Sequence, residues 1–219
     1  MKGLFVKDLL IMKKQWKFFG LLALIGFIMI ATNVEPMFIN TYLTFVFSSF
    51  VLSTISYDDY ENGFSFLFSL PVSREGYVRE KYLFCLCNAA VGWSLSFAFL
   101  LLTMTVRKQP FIFGELLMTG GMNLLVVLVF LGISIPIRIK LGAEKGKLVY
   151  FGIAGVIVIL FVLMDTWMKN HPSAIAASQI ERFIDNNALW LEGLVAIIAI
   201  GVFAISYAVS LKVLEKKEF

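Results

Sequence analysis

The chain has 219 residues, of which 59% are apolar, 15% aromatic and 16% charged. Soluble domains carry roughly 25% charged and 45–50% apolar residues, so this composition excludes an ordinary water-soluble domain and indicates a protein embedded in a membrane. With a net charge of +4 and a mean hydropathy of +0.86, the chain is expected to contact lipid and not to bind nucleic acid.

Residues 1–17 are the first predicted element, an amphipathic helix on the inner surface of the membrane. Phe5, Leu9, Met12 and Trp16 recur at helical spacing and share one narrow face, while the lysines point away from it. A stripe of this kind enters the headgroup region, where the lysines meet anionic lipid. The alternative is a plain cytoplasmic extension of the first membrane span.

Several further segments are apolar and long enough to cross a hydrocarbon core of about 30 Å, which needs about 20 residues. The six segments, all without Asp, Glu, Lys or Arg, are Phe18–Val34, Met37–Ser56, Leu83–Val106, Leu116–Ile137, Leu148–Met164 and Gly193–Leu211. The first is expected to be retained rather than cleaved as a signal peptide, because no small-residue cleavage site follows it. We therefore expect an all-α polytopic membrane protein with six spans in a single transmembrane domain, 1–219.

The basic residues predict the orientation, because Lys and Arg collect on the cytoplasmic side of membrane proteins. With the N-terminus inside, the cytoplasmic segments hold 15 of the 19 Lys and Arg residues and the outer segments hold 4. Both termini and residues 57–82 are therefore predicted to be cytoplasmic. On the outer side, apolar residues at helical spacing predict an amphipathic helix over 168–188.

Residues 56–82, SYDDYENGFSFLFSLPVSREGYVREKY, form a segment too long for a hairpin and too short for a domain. Aromatic residues recur at every fourth position, which predicts a short helix from Tyr57 to Phe68 across the ends of the spans. Pro71 ends that helix, and Ser73 is placed to cap a second helix that runs into the third span. An apolar anchor with acidic flanks suits docking into a groove of a partner protein. The alternative is a loop whose rings rest among the inner headgroups.

The residues that a self-contained enzyme needs are missing. The one histidine, His171, falls in an outer loop, and neither a metalloprotease motif nor an intramembrane pair of acids occurs. The nearest fragment to a phosphate-binding loop, GAEKGKL at 142–148, has the wrong spacing and follows no strand. Cys85 and Cys87 point to different sides of a helix, so no disulfide or shared metal is expected there. We expect no catalytic residue, metal or cofactor in this chain, and the energy for driven transport must enter from another subunit.

At residues 56–82 the sequence resembles the signature region of bacterial ABC-2-type transporter permeases. In those proteins an acidic stretch and a glycine precede SLPVSR, and a basic, tyrosine-containing run leads into the third span. By architecture the resemblance covers nearly the whole chain, from the amphipathic N-terminal helix to the basic C-terminus. It implies a half-transporter of the bacterial cell membrane that pairs with itself or with a paralogous permease. Two ATPase subunits, which bind ATP and Mg, would lie below the pair.

The resemblance also implies that the loop after the second span is a coupling helix in a groove of the ATPase. Carried over by position, the acids meet basic residues of the ATPase, and Phe64 and Phe66 fill its pocket. The coupling residues are then Tyr57, Asp58, Asp59, Tyr60, Glu61, Asn62, Gly63, Phe64, Phe66 and Phe68.

The expected cargo is an amphipathic peptide or another hydrophobic compound, because small two-component systems of this type are similar to exporters of phenol-soluble modulins and to peptide-antibiotic resistance pumps. No substrate-binding residue is assigned. Two alternatives stay open. A secondary transporter or channel would act without an ATPase, but it would be expected to carry ionisable groups within its spans, which the six segments lack. A non-transport subunit would anchor or regulate a partner and move nothing.

Overall fold

The computed structural model describes residues 2–60, 63–170 and 188–217, without the side chains of residues 2, 143, 144, 147–189 and 191. Every regular element in these ranges is a helix. The helices are α1 Lys2–Lys14, α2 Trp16–Ala31, α3 Pro36–Ser48, α4 Phe50–Asp59, α5 Gly63–Ser69, α6 Arg74–Val106, α7 Phe113–Asn170 and α8 Ala188–Glu215. Helix α7 is broken at Gly142, where φ is 74° and ψ is −172°.

Within the described residues, four helical segments are long and apolar enough to cross a membrane: Pro36–Asp59, Arg74–Val106, Phe113–Gly142 and Glu192–Glu215. Helices α1 and α2 form a pair bent by 59°, which makes a fifth span if the pair is counted as one. The all-helical, multi-pass membrane fold is therefore confirmed. The total of six spans and the orientation stay predictions, since the predicted span Leu148–Met164 is helical within α7 but its side chains are not described.

The amphipathic helix predicted over 168–188 falls almost wholly outside the described part of the chain. Its first residues, 168–170, continue α7, and the structure is next described at residue 188. The outer helix therefore stays a prediction.

The second span, Pro36–Asp59, consists of two helices, α3 and α4, with a break at Ser49 between them. The amide of Asn88, on α6, donates hydrogen bonds to the carbonyl oxygens of Phe47 at 3.0 Å and Ser48 at 3.4 Å. These carbonyls lie at the break, where the regular ladder is interrupted, and a polar group without a partner is costly in hydrocarbon. Asn88 therefore holds the break and ties the second span to the third.

A second irregularity lies at Pro136 in α7. A proline inside a helix has no N–H to donate to the carbonyl four residues earlier, which here belongs to Gly132. The hydroxyl of Ser206, on α8, donates to that oxygen instead. Tyr82 of α6 bonds in turn to Ser206 at 2.5 Å and to Ser210 at 2.8 Å. This hydrogen-bonded chain joins α6, α7 and α8.

The main core lies at the end of the bundle that carries Tyr60, α5 and residues 70–73, which are called the loop below, and this end is called the loop end. Segments that are far apart along the chain meet there, so that α1, the loop and the end of α8 pack together. The cluster includes Leu4 of α1, Ile55 of α4, Phe64 of α5, Tyr77 of α6, Ile139 of α7 and Leu214 of α8.

The opposite end of the bundle is fastened by Arg107, the residue after α6. Its guanidinium donates to the carbonyl oxygens of Val34 at 2.7 Å, Ile30 at 2.8 Å and Met29 at 3.3 Å. These groups lie at the C-terminal end of α2, where helical carbonyls lack partners and where a cation interacts favourably with the helix dipole. Arg107 therefore caps a neighbouring helix.

Candidate functional site

Residues 57–73 differ from the single helix predicted from Tyr57 to Phe68. The helix of the second span continues to Asp59, Tyr60 is extended with φ −66° and ψ 135°, and α5 begins at Gly63. A Cβ on Gly63 would lie 2.6 Å from the carbonyl oxygen of Asp58, so this position needs glycine for the close turn. The prediction of one helix is therefore wrong. Glu61 and Asn62 lie outside the described residues.

Helix α5 is amphipathic, and its inner face packs on the body of the protein. Phe64 is only 2% exposed, and its ring lies edge-on to Tyr77 at 5.6 Å and stacks with Phe68 at 6.1 Å. The ammonium of Lys217 lies 4.7 Å from the centre of the Phe64 ring, a cation–π contact. The prediction that Phe64 fills a pocket of a partner disagrees with this burial, because periodicity shows that residues share a face but not which way the face turns.

Four large apolar side chains at the end of α4 and in the loop face outward and are defined here as the loop patch: Tyr57, Tyr60, Phe66 and Leu70. Phe66 is 70% exposed and Tyr60 69%, although both belong to a segment that is otherwise anchored in the core. Large aromatic side chains presented on an anchored support are typical binding anchors. Of the two phenylalanines predicted to reach a partner, only Phe66 is free to do so.

Asp58 is buried and belongs to an internal network rather than to the surface. Its carboxylate pairs with Lys7 of α1, lies 2.8 Å from the Lys81 ammonium of α6, and accepts a hydrogen bond from the Tyr77 hydroxyl at 3.1 Å. Burying a carboxylate is tolerated only when such partners are present. The prediction that Asp58 meets basic residues of an ATPase is therefore at odds with its position, since Asp58 neutralises cations of its own chain.

Lys81 occupies the centre of this network, which we call the charged cluster: Lys7, Asp8, Asp58, Glu80 and Lys81. Lys81 is fully buried, and its ammonium donates to Asp8 and, at 3.2 Å, to the hydroxyl of Thr54. Glu80 is 2% exposed, and neither of its carboxylate oxygens has a hydrogen-bond partner among the described residues. The cluster links α1, α4 and α6 around the base of the loop.

The sequence reasoning missed the internal role of Asp8, Glu80 and Lys81. A local signal for Asp8 existed, because it lies one helical turn after Leu4 and one turn before Met12, on the face of α1 that is now seen to be inward. No comparable signal marks Lys81, whose partners are 27 and 73 residues away.

Asp59 has a second internal role. Its carboxylate lies 3.3 Å from the Lys217 ammonium, which also donates to the carbonyl oxygen of Ile139 at 3.1 Å. A Cβ on Gly142 would come within 2.5 Å of the same carboxylate, so the break in α7 leaves room for it. Asp59 thus joins α4 to the break in α7 and to the residues after α8, and it is partly engaged rather than free to meet a partner.

The start of α6 is fixed as the sequence predicts. The Ser73 side chain accepts a hydrogen bond from the Gly76 N–H at 3.0 Å, and α5 ends at Ser69, before Pro71. Arg74 then donates to the carbonyl oxygens of Leu214 at 2.8 Å and Glu215 at 2.5 Å, which caps the last turn of α8. The predicted Ser73 cap and Pro71 stop are confirmed.

The N-terminal helix does not present one continuous lipid-facing stripe. Phe5 and Met12 pack against the main core, and Phe5 lies edge-on to Phe84 at 5.6 Å. Leu9 is 46% exposed and Trp16, which begins α2, is 67% exposed. The prediction is therefore wrong for Phe5 and Met12, because the face that carries Asp8 must turn inward to meet Lys81. The outward apolar residues of α1 are Val6, Leu9 and Leu10.

The loop end is held together by apolar packing and by buried ion pairs. Among the described residues no group of three or more His, Cys, Asp or Glu side chains could hold a metal ion. Cys85 is buried and Cys87 exposed, and neither forms a disulfide. What the loop end offers is α5, which is anchored by the buried Phe64 and carries the outward Phe66, beside buried charges that join α1, α4 and α6.

Comparison with known proteins agrees with this architecture. No curated protein and no solved structure matched the chain significantly. Among protein families, the one described as ABC-2 family transporter protein matched residues 3–215, nearly the whole chain. The match extends over far more than the loop, and the chain therefore belongs to the ABC-2 family as a multi-pass membrane permease of an ABC transporter.

Proposed function

We propose that this chain is the transmembrane subunit of an ATP-driven exporter in the bacterial cell membrane. It works as a dimer, with itself or with a paralogous permease, and takes its energy from a separate ATPase subunit that binds ATP and Mg. Membership of the ABC-2 family supports the permease role. The observation that carries the coupling to an ATPase is the amphipathic α5, with Phe64 buried and Phe66 exposed.

The loop patch suits docking to the ATPase because its support is rigid. An interface anchor binds well when it needs no ordering on binding, and the burial of Phe64 and Leu67 already fixes α5. A phenylalanine buries about 150–250 Å² when it is fully enclosed, and a residue of this kind at the centre of an interface contributes about 2 kcal/mol or more. Phe66 is the residue placed to supply this contribution.

The same contacts give a path from α5 to the spans. Phe64 packs on Tyr77 at the start of α6, and Asp58 at the end of α4 pairs with Lys81 of α6. A displacement of α5 by the ATPase would therefore act on the second and third spans together. The charged cluster resists separation of these spans, because pulling its carboxylates from its ammonium groups would leave buried charges unpaired.

Replacing Phe66 by alanine tests the docking role. We expect Phe66→Ala to weaken ATPase binding by about 2 kcal/mol, or roughly 30-fold in Kd, because the central apolar contact is lost. Co-purification with the ATPase and binding of the isolated ATPase to the permease in lipid nanodiscs measure this. Phe113→Ala is the matched control, since Phe113 is 55% exposed at the other end of the bundle.

A second variant separates docking from folding. Phe64→Ala removes a ring from the main core, so we expect it to lower the unfolding temperature of the permease measured without the ATPase. Phe66→Ala should leave that temperature unchanged. If Phe66→Ala and Phe113→Ala bind the ATPase with equal affinity, the loop patch is not the docking site.

The proposed cargo is an amphipathic peptide or another hydrophobic compound. The described spans expose many large apolar side chains, and no acidic or basic residue lies within the six predicted segments, which suits a cargo that itself prefers a lipid interface. An amphipathic helical peptide should stimulate ATP hydrolysis by the reconstituted complex, whereas a scrambled peptide of the same composition should not. Equal stimulation by both would count against cargo recognition.

The charged cluster is the one observation that favours the ion-coupled alternative, because buried ionisable groups are the usual sites of coupling ions. Transport into vesicles separates the two functions. An ATP-driven exporter moves its cargo with ATP in the presence of a protonophore and stops when the ATPase is omitted. An ion-coupled carrier shows the reverse dependence. A non-transport subunit would move no cargo in either condition.

A further inference from the structure

A groove between α7 and α8 near the loop end has two chemically different halves. The apolar half is a cleft of about 390 Å³ lined by aliphatic and small side chains, among them Gly132, Pro136 and Ile205. The basic half is a cleft of about 430 Å³ lined by four lysines and two valines: Lys140, Lys212, Lys216, Lys217, Val209 and Val213. Lys140 and the two valines line both clefts, so the groove is continuous.

The shape of the apolar half follows from the irregular part of α7. Gly132 lets α8 pack closely, since a Cβ there would contact Phe203 at 3.4 Å and Val202 at 3.5 Å. The compact ring of Pro136 lies beside this contact and lines a shallow recess on that face of the helix. Ser206 fills the hydrogen-bonding gap that Pro136 leaves and holds α8 beside the recess. On the α8 side, Ile205 is 67% exposed and Val209 43% exposed. The recess therefore has apolar walls and opens outward from two membrane spans.

Within the described part of the chain, three of the four lysines of the basic half have no acidic partner. Lys217 is engaged with Asp59. Lys140, Lys212 and Lys216 are exposed, and none of them forms an ion pair with a described residue. A second copy of this chain docked here would have to enclose these three cations, which is costly without matching acids. The charge fits an anionic occupant instead.

The spacing between the two halves fits an amphiphile. Lys212 follows Ile205 by seven residues, a rise of about 10 Å along α8. The lysines lie at the ends of the candidate spans Phe113–Gly142 and Glu192–Glu215, where lipid phosphates are found, while the apolar half lies at the depth of the acyl chains. Basic pockets between spans on the cytoplasmic side are typical sites for anionic headgroups.

We propose that this groove is a binding site for an anionic phospholipid. The phosphate lies among Lys140, Lys212 and Lys216, and one acyl chain lies along Gly132, Pro136 and Ile205. The site is separate from the loop patch and needs no ATP. It goes beyond the proposed transport function, and its test has a readout that does not depend on transport.

Lipid binding to the purified permease tests the proposal. Native mass spectrometry counts lipids bound during titration with phosphatidylglycerol or with phosphatidylcholine of the same chain length. Each lysine near the headgroup is expected to strengthen phosphatidylglycerol binding about 5-fold. The double variant Lys140→Gln, Lys212→Gln should therefore bind this lipid about 25-fold more weakly. Arg79→Gln, Lys108→Gln is the control of equal charge, since both cations are exposed and neither lines the groove.

Two further arms establish the kind of occupant. Ile205→Trp fills the apolar half and keeps every lysine, so it should also weaken phosphatidylglycerol binding. Glycerol phosphate, a soluble headgroup without acyl chains, should not compete. Equal affinity for the two lipids, equal loss in the groove variant and in the control variant, or full competition by glycerol phosphate would each overturn the proposal. A disulfide between two chains through Ile205→Cys in native membranes would assign the groove to a second copy and overturn it as well.

Discussion

Lys81 is a buried cation with an acceptor for each of its three ammonium protons. Asp8 and Asp58 provide carboxylates, and Thr54 provides a hydroxyl. Removing one charge from a buried network costs more than the pair itself contributes, because the remaining charges stay desolvated without a partner. The stability of the loop end therefore depends on this one side chain more than on any surface ion pair.

Replacing Lys81 by methionine is expected to destabilise the permease by about 3–5 kcal/mol, because Asp8 and Asp58 lose their buried counter-charge and keep only the partly exposed Lys7. The free energy of unfolding in mild detergent measures this. Arg79→Met removes an exposed cation two residues away and should change stability by about 0.5 kcal/mol or less. The double variant Asp8→Asn, Lys81→Met should recover part of the loss. If Lys81→Met unfolds like Arg79→Met, the cluster does not hold the loop end.

At the scale of helices, the hydroxyl of Ser206 replaces the N–H that Pro136 lacks. Ser206→Ala removes the hydroxyl that donates to the Gly132 carbonyl, and we expect a loss of about 1–3 kcal/mol in unfolding free energy. Ser94→Ala is the control, since Ser94 is exposed and bonds only within its own helix, to the Ala90 carbonyl at 2.8 Å.

A double-mutant cycle makes this prediction specific. Pro136→Ala restores an N–H to α7, so Ser206→Ala should cost clearly less in that background than in the native chain. Equal costs in the two backgrounds would mean that the Ser206 hydroxyl does not compensate for the proline.

Local rules predicted the elements well and their contacts poorly. The Ser73 cap and the stop at Pro71 depend only on neighbouring residues, and both were correctly predicted. The burial of Phe64 depends on Tyr77 and on Lys217, which lies far along the chain. Periodicity grouped the aromatic residues of α5 on faces, but only the packed helices decide which face is inside. The same limit explains why the lipid-facing stripe predicted on α1 was wrong for Phe5.

At the scale of the whole molecule, contacts place α1, the loop and the end of α8 at one end of the bundle. This agrees with the predicted topology, in which these segments share a side of the membrane. Which side they face rests on the distribution of lysine and arginine, 15 against 4 of the 19 residues.

Labelling of single cysteines in cells tests the orientation. In a background with Cys85→Ala and Cys87→Ser, a membrane-impermeant maleimide should label Gln109→Cys in intact cells. It should label Ser65→Cys only after permeabilisation, because Ser65 lies in α5 on the cytoplasmic side of the predicted topology. Both positions are exposed, so accessibility within the protein does not limit labelling. The opposite pattern would invert the topology and place the loop patch outside the cell.

The long-range ties of the loop end have a consequence for biosynthesis. Asp8 precedes its partner Lys81 by 73 residues, and Arg74 precedes Leu214 by 140. At about 5–20 residues/s on the ribosome, Lys81 is synthesised several seconds after Asp8. The interval between Arg74 and the last turn of α8 is longer. The loop end is thus completed only after the final span has been inserted. An ATPase that binds Phe66 only when α5 is packed on the core would therefore bind complete permeases and not truncated chains.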